Sequence, residues 1–189
     1  MHKKPLNIAV DIDGVLLDFI DGFIPVVHER LGVTISHQDI ITHDLHLLLG
    51  VPFKELWELV NITLATKVFP VIPGAQEGLK AISHHNISIV TSRPPEHEQQ
   101  TRDNLKKYGF TFGDIHFRKY LNKFKEQDGT DILIEDSLEE ALLASEHIQH
   151  VVLFCQPWNQ FTLNSKNRLI PVVDWEEVVH VVGTIEEKT

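Results

Sequence analysis

One cysteine, Cys155, stands among the 189 residues, so no disulfide can form within the chain. It closes the apolar run VVLFC and reads as a buried thiol. Positive charge is scarce as well: 17 Lys and Arg face 27 Asp and Glu, a formal net charge of −10. Binding to a nucleic acid polymer draws on many clustered Lys and Arg contacts, and this balance argues against it. A small anionic ligand would need local help, such as a metal ion. No apolar run approaches the roughly 18 residues of a membrane-spanning helix, and the opening MHKKPLN leads into a strand pattern with no secretory apolar segment between. A soluble, cytoplasmic protein with no membrane partner is the expectation. Repeats and low-complexity segments are missing too, and oligomeric state is left open.

What is present is alternation. Runs rich in Ile and Val at 7–10, 87–92, 131–136 and 150–155 are separated by segments of helical periodicity. Such spacing predicts an α/β fold, a Rossmann-like parallel sheet with helices on both faces. In 74–85 the helical face is Ala75, Leu79 and Ile82; in 138–148 it is Leu138, Ala141, Leu142 and Ser145. A weaker strand is expected over 114–119, and 171–182 reads as a strand turning into a last helix.

Residues 18–72 break the alternation, because a doubly wound connection needs far fewer residues. Helical patterns at 18–32 and 53–65 flank HDLHLLLG at 43–50. The division expected is an α/β core from 1–17 and 73–189, with 18–72 inserted as a small helical cap. The cap would lie over the carboxyl ends of the strands, where open parallel sheets bind ligands.

Those carboxyl ends carry the chemistry. The first strand runs into IAVDIDG, with Asp11 and Asp13 before a turn at Gly14. Paired carboxylates at a strand end can hold a divalent metal and leave one to attack or to shuttle a proton. Alternatively they belong to an acidic turn that caps the next helix. The second strand ends in Thr91 and Ser92 with Arg93 beside them. Hydroxyls and backbone N–H groups there suit an anion, or merely cap a helix that begins near Pro94 or Pro95. A later strand ends in Glu135 and Asp136, preceded by Lys119, Lys123 and Lys125 in RKYLNKFKEQ.

The order Asp-x-Asp, Thr-Ser, Lys, Glu-Asp resembles the four motifs of the haloacid dehalogenase superfamily. DIDGVLLDF at 11–19, TSRP at 91–94 and LIEDS at 133–137 look like its cytosolic-type 5'-nucleotidase and deoxyribonucleotidase branch. The resemblance covers about residues 6–16 and 73–180. It implies a Mg²⁺-dependent phosphomonoesterase acting on a small phosphate ester, foremost a nucleoside monophosphate. By the same resemblance Asp11 is the nucleophile that becomes an aspartyl-phosphate, and Asp13 the proton shuttle. Mg²⁺ would be held by Asp11, the Asp13 carbonyl and Asp136, with Glu135 helping directly or through water. Thr91, Ser92 and Arg93 would hold the phosphoryl group together with a lysine, Lys123 slightly preferred over Lys125. The branch commonly has two aspartates where this chain has Glu135 and Asp136.

A receiver-type signalling domain gathers similar residues, but its phosphorylated Asp lies on a middle strand, contrary to the order here. A silent binding protein of the same fold is the other alternative, with Glu135 its one hint. By the resemblance to the 5'-nucleotidase branch, Phe19, beside the catalytic loop, would meet the nucleobase. Phe53, Trp57 and Phe69 read as the core of the cap. His43 and His46, three apart, are discounted as a metal pair. PWNQ at 157–160 either closes the rim of the site or is a plain turn.

Overall fold

The computed structural model describes residues 4–124, 129–159 and 168–189. Among these residues six strands form one sheet: β1 (Asn7–Val10), β2 (Asn86–Thr91), β3 (Ile115–Phe117), β4 (Ile132–Glu135), β5 (His150–Phe154) and β6 (Leu169–Val172). All neighbours are parallel, in the order β3-β2-β1-β4-β5-β6. The predicted α/β class with a Rossmann-like parallel sheet is therefore observed. Every residue of β4 and the last three of β1 are buried. Central parallel strands lie under helices on both sides, which is why they appear in the sequence as continuous apolar runs.

Among the described residues seven α-helices accompany the sheet: α1 (Phe19–Leu31), α2 (Leu45–Leu49), α3 (Phe53–Thr66), α4 (Ala75–Ala81), α5 (Glu98–Lys107), α6 (Leu138–Ala144) and α7 (Trp175–Lys188). One face of the sheet packs Ile8, Val10 and Ile132 against Leu79, Leu105, Trp175 and Val178 from α4, α5 and α7. The other packs Ala9 and Leu133 against Ala141 and Ala144 from α6. On α6 the predicted face is shifted: Glu140, Ala141 and Ala144 point inward while Leu142 and Leu143 are exposed. The inward turn brings Glu140 under the backbone of Leu121, whose N–H it accepts.

The order reverses between β1 and β4, where the chain has wound to β3 on one side and then continues to β6 on the other. That switch point opens a crevice at the carboxyl ends of these two strands. Asp11 follows one strand, and Glu135 and Asp136 end the other.

Between β1 and α4, Phe23, Val26 and Val27 of α1 meet Leu56 and Leu59 of α3 in a further apolar cluster, while Leu64, Phe69 and Ile72 pack with the core of the sheet. The two connections of this segment to the sheet run side by side. Asp18 N–H donates to the Pro70 carbonyl at 2.8 Å, and Ile72 N–H to the Leu16 carbonyl at 3.0 Å. Asp18 also caps α1 by accepting the Asp21 N–H. Phe69 is fully buried, as a core aromatic should be, but Phe53 and Trp57 are 64% and 43% exposed. Leu56, Leu59, Thr63 and Leu64 define the buried face of α3, so Phe53 and Trp57 are left to stack on each other outside it. Cys155 is half-buried rather than enclosed.

Candidate active site

Beyond β1 the chain keeps one more ladder bond, from Asp11 N–H to the Ile134 carbonyl, and then folds back. Leu16 and Leu17 N–H groups both reach the Ile12 carbonyl, and Gly14 takes φ of 77°. Only glycine fits here. A Cβ on Gly14 would stand 2.3 Å from Asp136 Oδ2, besides the left-handed backbone. The fold-back parts the two aspartates: Asp11 faces a lysine, Asp13 an arginine.

The lysine is Lys123. Its Nζ lies 2.6 Å from Asp11 Oδ1 and 2.8 Å from Glu135 Oε2, with the side chain almost wholly enclosed. Its loop is pinned to α6 at two points, by Tyr120 OH donating to Glu139 at 3.0 Å and by the Leu121 N–H on Glu140. Leu121 adopts φ of 60°, costly for a side-chain-bearing residue. Lys125 lies outside the described residues.

Glu135 is fully engaged: Oε1 accepts the N–H groups of Asp136 and Ser137 at 3.1 and 2.9 Å, and Oε2 takes Lys123. Asp136 accepts Trp158 Nε1–H on Oδ2 at 2.9 Å, and its carbonyl accepts from Asn159 at 2.7 Å. Asp11, Glu135 and Asp136 are buried, with one ligand oxygen of each within 4.8 Å of the others.

Three buried carboxylates share one ammonium. Burial, then the Glu135 charge, pushes the Asp11 carboxyl well above its usual range. Burial likewise lifts Glu135 and Asp136 to about 7 each. For Lys123 burial pulls downward, but Asp11 and Glu135 overcome it and hold the ammonium charged. The two negative charges left over, on hard oxygens, fit a divalent cation such as Mg²⁺.

Arg93 differs from its sequence expectation. Its fork goes to Asp13, Nη2 to Oδ1 at 2.6 Å and Nε to Oδ2 at 2.9 Å, and Nη1 donates to the Thr101 hydroxyl. The guanidinium lies 4.7 Å over the Phe69 ring. Thr91 is buried and its hydroxyl accepts the Arg93 N–H at 3.2 Å, so of the hydroxyl pair only Ser92 lines the cavity.

That cavity, about 160 Å³, contains Asp11, Asp13, Ser92, Lys123 and Asp136 at its floor, with Phe19, His43 and Trp158 above. Phe19 does reach it, yet is half-buried and also stacks on Phe23 at 5.4 Å and Phe69 at 5.8 Å. His43, discounted from its spacing, is present at the mouth with its ring edge-on to Trp158 at 5.9 Å. PWNQ turns out to do more than turn. Trp158 and Asn159 brace Asp136, just as Gln156 braces the Gly14 carbonyl at 2.7 Å; Gln160 is outside the described residues. The available signal was position alone, at the carboxyl end of β5.

A second cluster, His84, His85 and Glu186, lies at the opposite end of β2. There the Leu6 N–H donates to His85 Nδ1 at 3.3 Å, so the neutral ring carries its proton on Nε2 and offers a metal no lone pair.

Residues 4–188 match the model of the family described as 5' nucleotidase, deoxy (pyrimidine), cytosolic type C protein. YqfW of Bacillus subtilis (strain 168), a predicted nucleotidase, is 26% identical over 180 residues, 92% of each chain. Among solved structures, the haloacid dehalogenase-like hydrolase SP0104 of Streptococcus pneumoniae superposes with a TM-score of 0.69 at 19% identity, covering 94% of this chain and 98% of that one. YfnB of Bacillus subtilis, solved bound to magnesium, gives 0.65 at 14% identity over 95% and 99%. At these identities the two structures share the fold. Among the described residues no helix is long and apolar enough to cross a membrane.

Proposed function

The chain belongs to the cytosolic type C 5' nucleotidase (deoxy, pyrimidine) family, and from that premise we propose that it is a Mg²⁺-dependent phosphomonoesterase whose substrate is a nucleoside monophosphate. Membership makes it a phosphoric monoester hydrolase with a small phosphate ester as substrate. The metal, the covalent route and the nucleotide are our reading. One observation carries it: Asp11, Glu135 and Asp136, buried around Lys123, open into a cavity at the switch point of the sheet.

In this mechanism an Asp11 carboxylate oxygen forms a bond to phosphorus as the bond from phosphorus to the ester oxygen breaks. Asp13 gives its proton to that departing oxygen. Asp13 then takes a proton from water as the water oxygen attacks the aspartyl-phosphate, which frees Asp11 and inorganic phosphate. Ser92, with Thr91 behind it, holds phosphoryl oxygens, and Lys123 neutralises charge building on them. Asp11, the Asp13 carbonyl and Asp136 would hold Mg²⁺. Glu135 supports them through Lys123 and two backbone amides. Mg²⁺ supplies the positive charge that lets an anionic nucleophile meet a phosphate dianion.

Residues 18–72 serve as the cap and the rest as the core, a division supported by the separate apolar cluster of α1 and α3. The base would lie at the mouth, against Phe19, His43 and Trp158. Pockets for drug-sized ligands run to about 300–1,000 Å³. A cavity of about 160 Å³ admits the phosphate and part of a sugar, so a second reading, a compact ester such as phosphoglycolate, has this volume in its favour. The family's cytosolic type supports a cytoplasmic location. Phosphate release from p-nitrophenyl phosphate, nucleoside monophosphates and phosphoglycolate, each at one concentration with Mg²⁺ or EDTA, tests the proposal. Full turnover in EDTA would overturn the metal requirement, and preference for phosphoglycolate would favour the second reading.

A further inference from the structure

Arg93 and Asp13 are unequal partners. The arginine side chain is 2% exposed and the aspartate 31%. Each guanidinium nitrogen has an acceptor on the protein, two on Asp13 and one on Thr101 of α5. The flat face rests on Phe69. Phe69 is fixed in turn: it is fully buried, its N–H bonds to Asn104 on α5, and it packs so closely on α1 that a Cβ at Gly22 would stand 2.7 Å from its ring. Arg93 therefore cannot move far without dismantling this contact set, whereas Asp13 faces the cavity and can.

Among the described residues the cation that lines the same cavity as Asp13 is Lys123, already shared by Asp11 and Glu135. A carboxylate drawn there would crowd the nucleophile and leave the ester oxygen without a proton donor. Resting on the role given to Asp13 above, we propose that Arg93 is a positioning residue: it holds the Asp13 carboxyl away from the Asp11–Lys123 pair and aims it at the leaving oxygen. One of its two contacts suffices to hold the carboxyl while the other carboxyl oxygen carries the proton. The two donors of the fork set the plane of the carboxylate before it takes up its proton, an orientation that a lysine ammonium, a point charge without a fork, does not impose. This is a different role from holding the phosphoryl group, and Phe69 is its platform.

The test compares an ester that needs a proton donor with one that does not. In wild type, Arg93→Lys, Arg93→Ala, Asp13→Asn and the Arg93→Ala/Asp13→Asn double variant, kcat/KM is measured for a nucleoside 5'-monophosphate and for p-nitrophenyl phosphate. The phenolate of the latter departs unprotonated. Inhibition by inorganic phosphate and Tm are recorded alongside. Both Arg93 variants should lose on the order of 10- to 100-fold on the alkyl ester and only a few-fold on the aryl ester. Phosphate inhibition should be unchanged, and the double variant should be no worse than Asp13→Asn alone. An equal loss on both esters with weaker phosphate inhibition would make Arg93 a phosphate ligand and overturn the proposal. Additive losses in the double variant, or a lowered Tm with unaltered kinetics, would also overturn it. If wild type hydrolyses neither ester, the phosphatase reading itself falls, which is a distinct result.

Discussion

Removing divalent metal should make the protein less stable as pH rises, and restoring Mg²⁺ should reverse this. Glu135 is lifted from 4.5 to about 7 and Asp136 from 3.8 to about 7, with burial the first cause in both. A carboxyl whose folded pKa is raised binds its proton more tightly in the fold than in the unfolded chain. Its stabilising contribution is complete below the unfolded value, near 4, and is lost as pH climbs through about 7. At about 1.4 kcal/mol per pH unit, each corresponds to roughly 3–4 kcal/mol. Both respond to the same crowding, so the two overlap, and about 4 kcal/mol is the whole expected loss between pH 4 and 8. For a chain of this length that is a fall in Tm of the order of 10 °C. Melting curves in EDTA at several pH values, repeated in excess Mg²⁺, measure it. Stability in EDTA that stays level or rises over this range would refute the charge reasoning. A Tm at pH 8 indifferent to Mg²⁺ would remove the cation from the cluster.

Asp11→Asn should abolish trapping by beryllium fluoride, whereas Asp13→Asn should keep it while turning over poorly; equal trapping in both would refute the division of roles. Gly14→Ala, with its Cβ pressed on Asp136 Oδ2, should lose nearly all turnover and the Mg²⁺-dependent rise in Tm, and retention of both would show that the turn can relax. Phe19→Ala should lower stability by about 2 kcal/mol, since it gives up contacts to Phe23 and Phe69. It should also cost about 1–3 kcal/mol in kcat/KM for nucleotides but little for phosphoglycolate. A uniform loss on both esters would leave Phe19 a packing residue.

The strands and the acids at their ends were legible in the sequence because a doubly covered parallel sheet forces apolar runs, and Asp11, Glu135 and Asp136 interrupt such runs abruptly. Lys123 was harder, since its loop is neither strand nor helix and its placement depends on Leu121 and Glu140 meeting across the fold. Arg93 illustrates a different limit: beside Thr91 and Ser92 an arginine suits a phosphate, and only the folded chain brings Asp13 within 2.6 Å of it. Trp158 reaches Asp136 from 22 positions away with no periodic signal between. On α3 the aromatic spacing is helical, but helical spacing does not say which face is inward, and Phe53 and Trp57 take the outer one.

The side-by-side connections at Leu16–Asp18 and Pro70–Ile72 would make the proposed cap, residues 18–72, an exchangeable part. Its two ends lie one hydrogen bond apart, so a short turn could join them and close the sheet domain upon itself, and a different helical module could be spliced at the same point. The choice of junction matters. A cut between Leu17 and Val71 discards Phe69 and leaves Arg93 with no ring beneath it, whereas a cut between Asp18 and Phe69 keeps that platform with the sheet. Grafts of the second kind should inherit the chemistry and change only what enters.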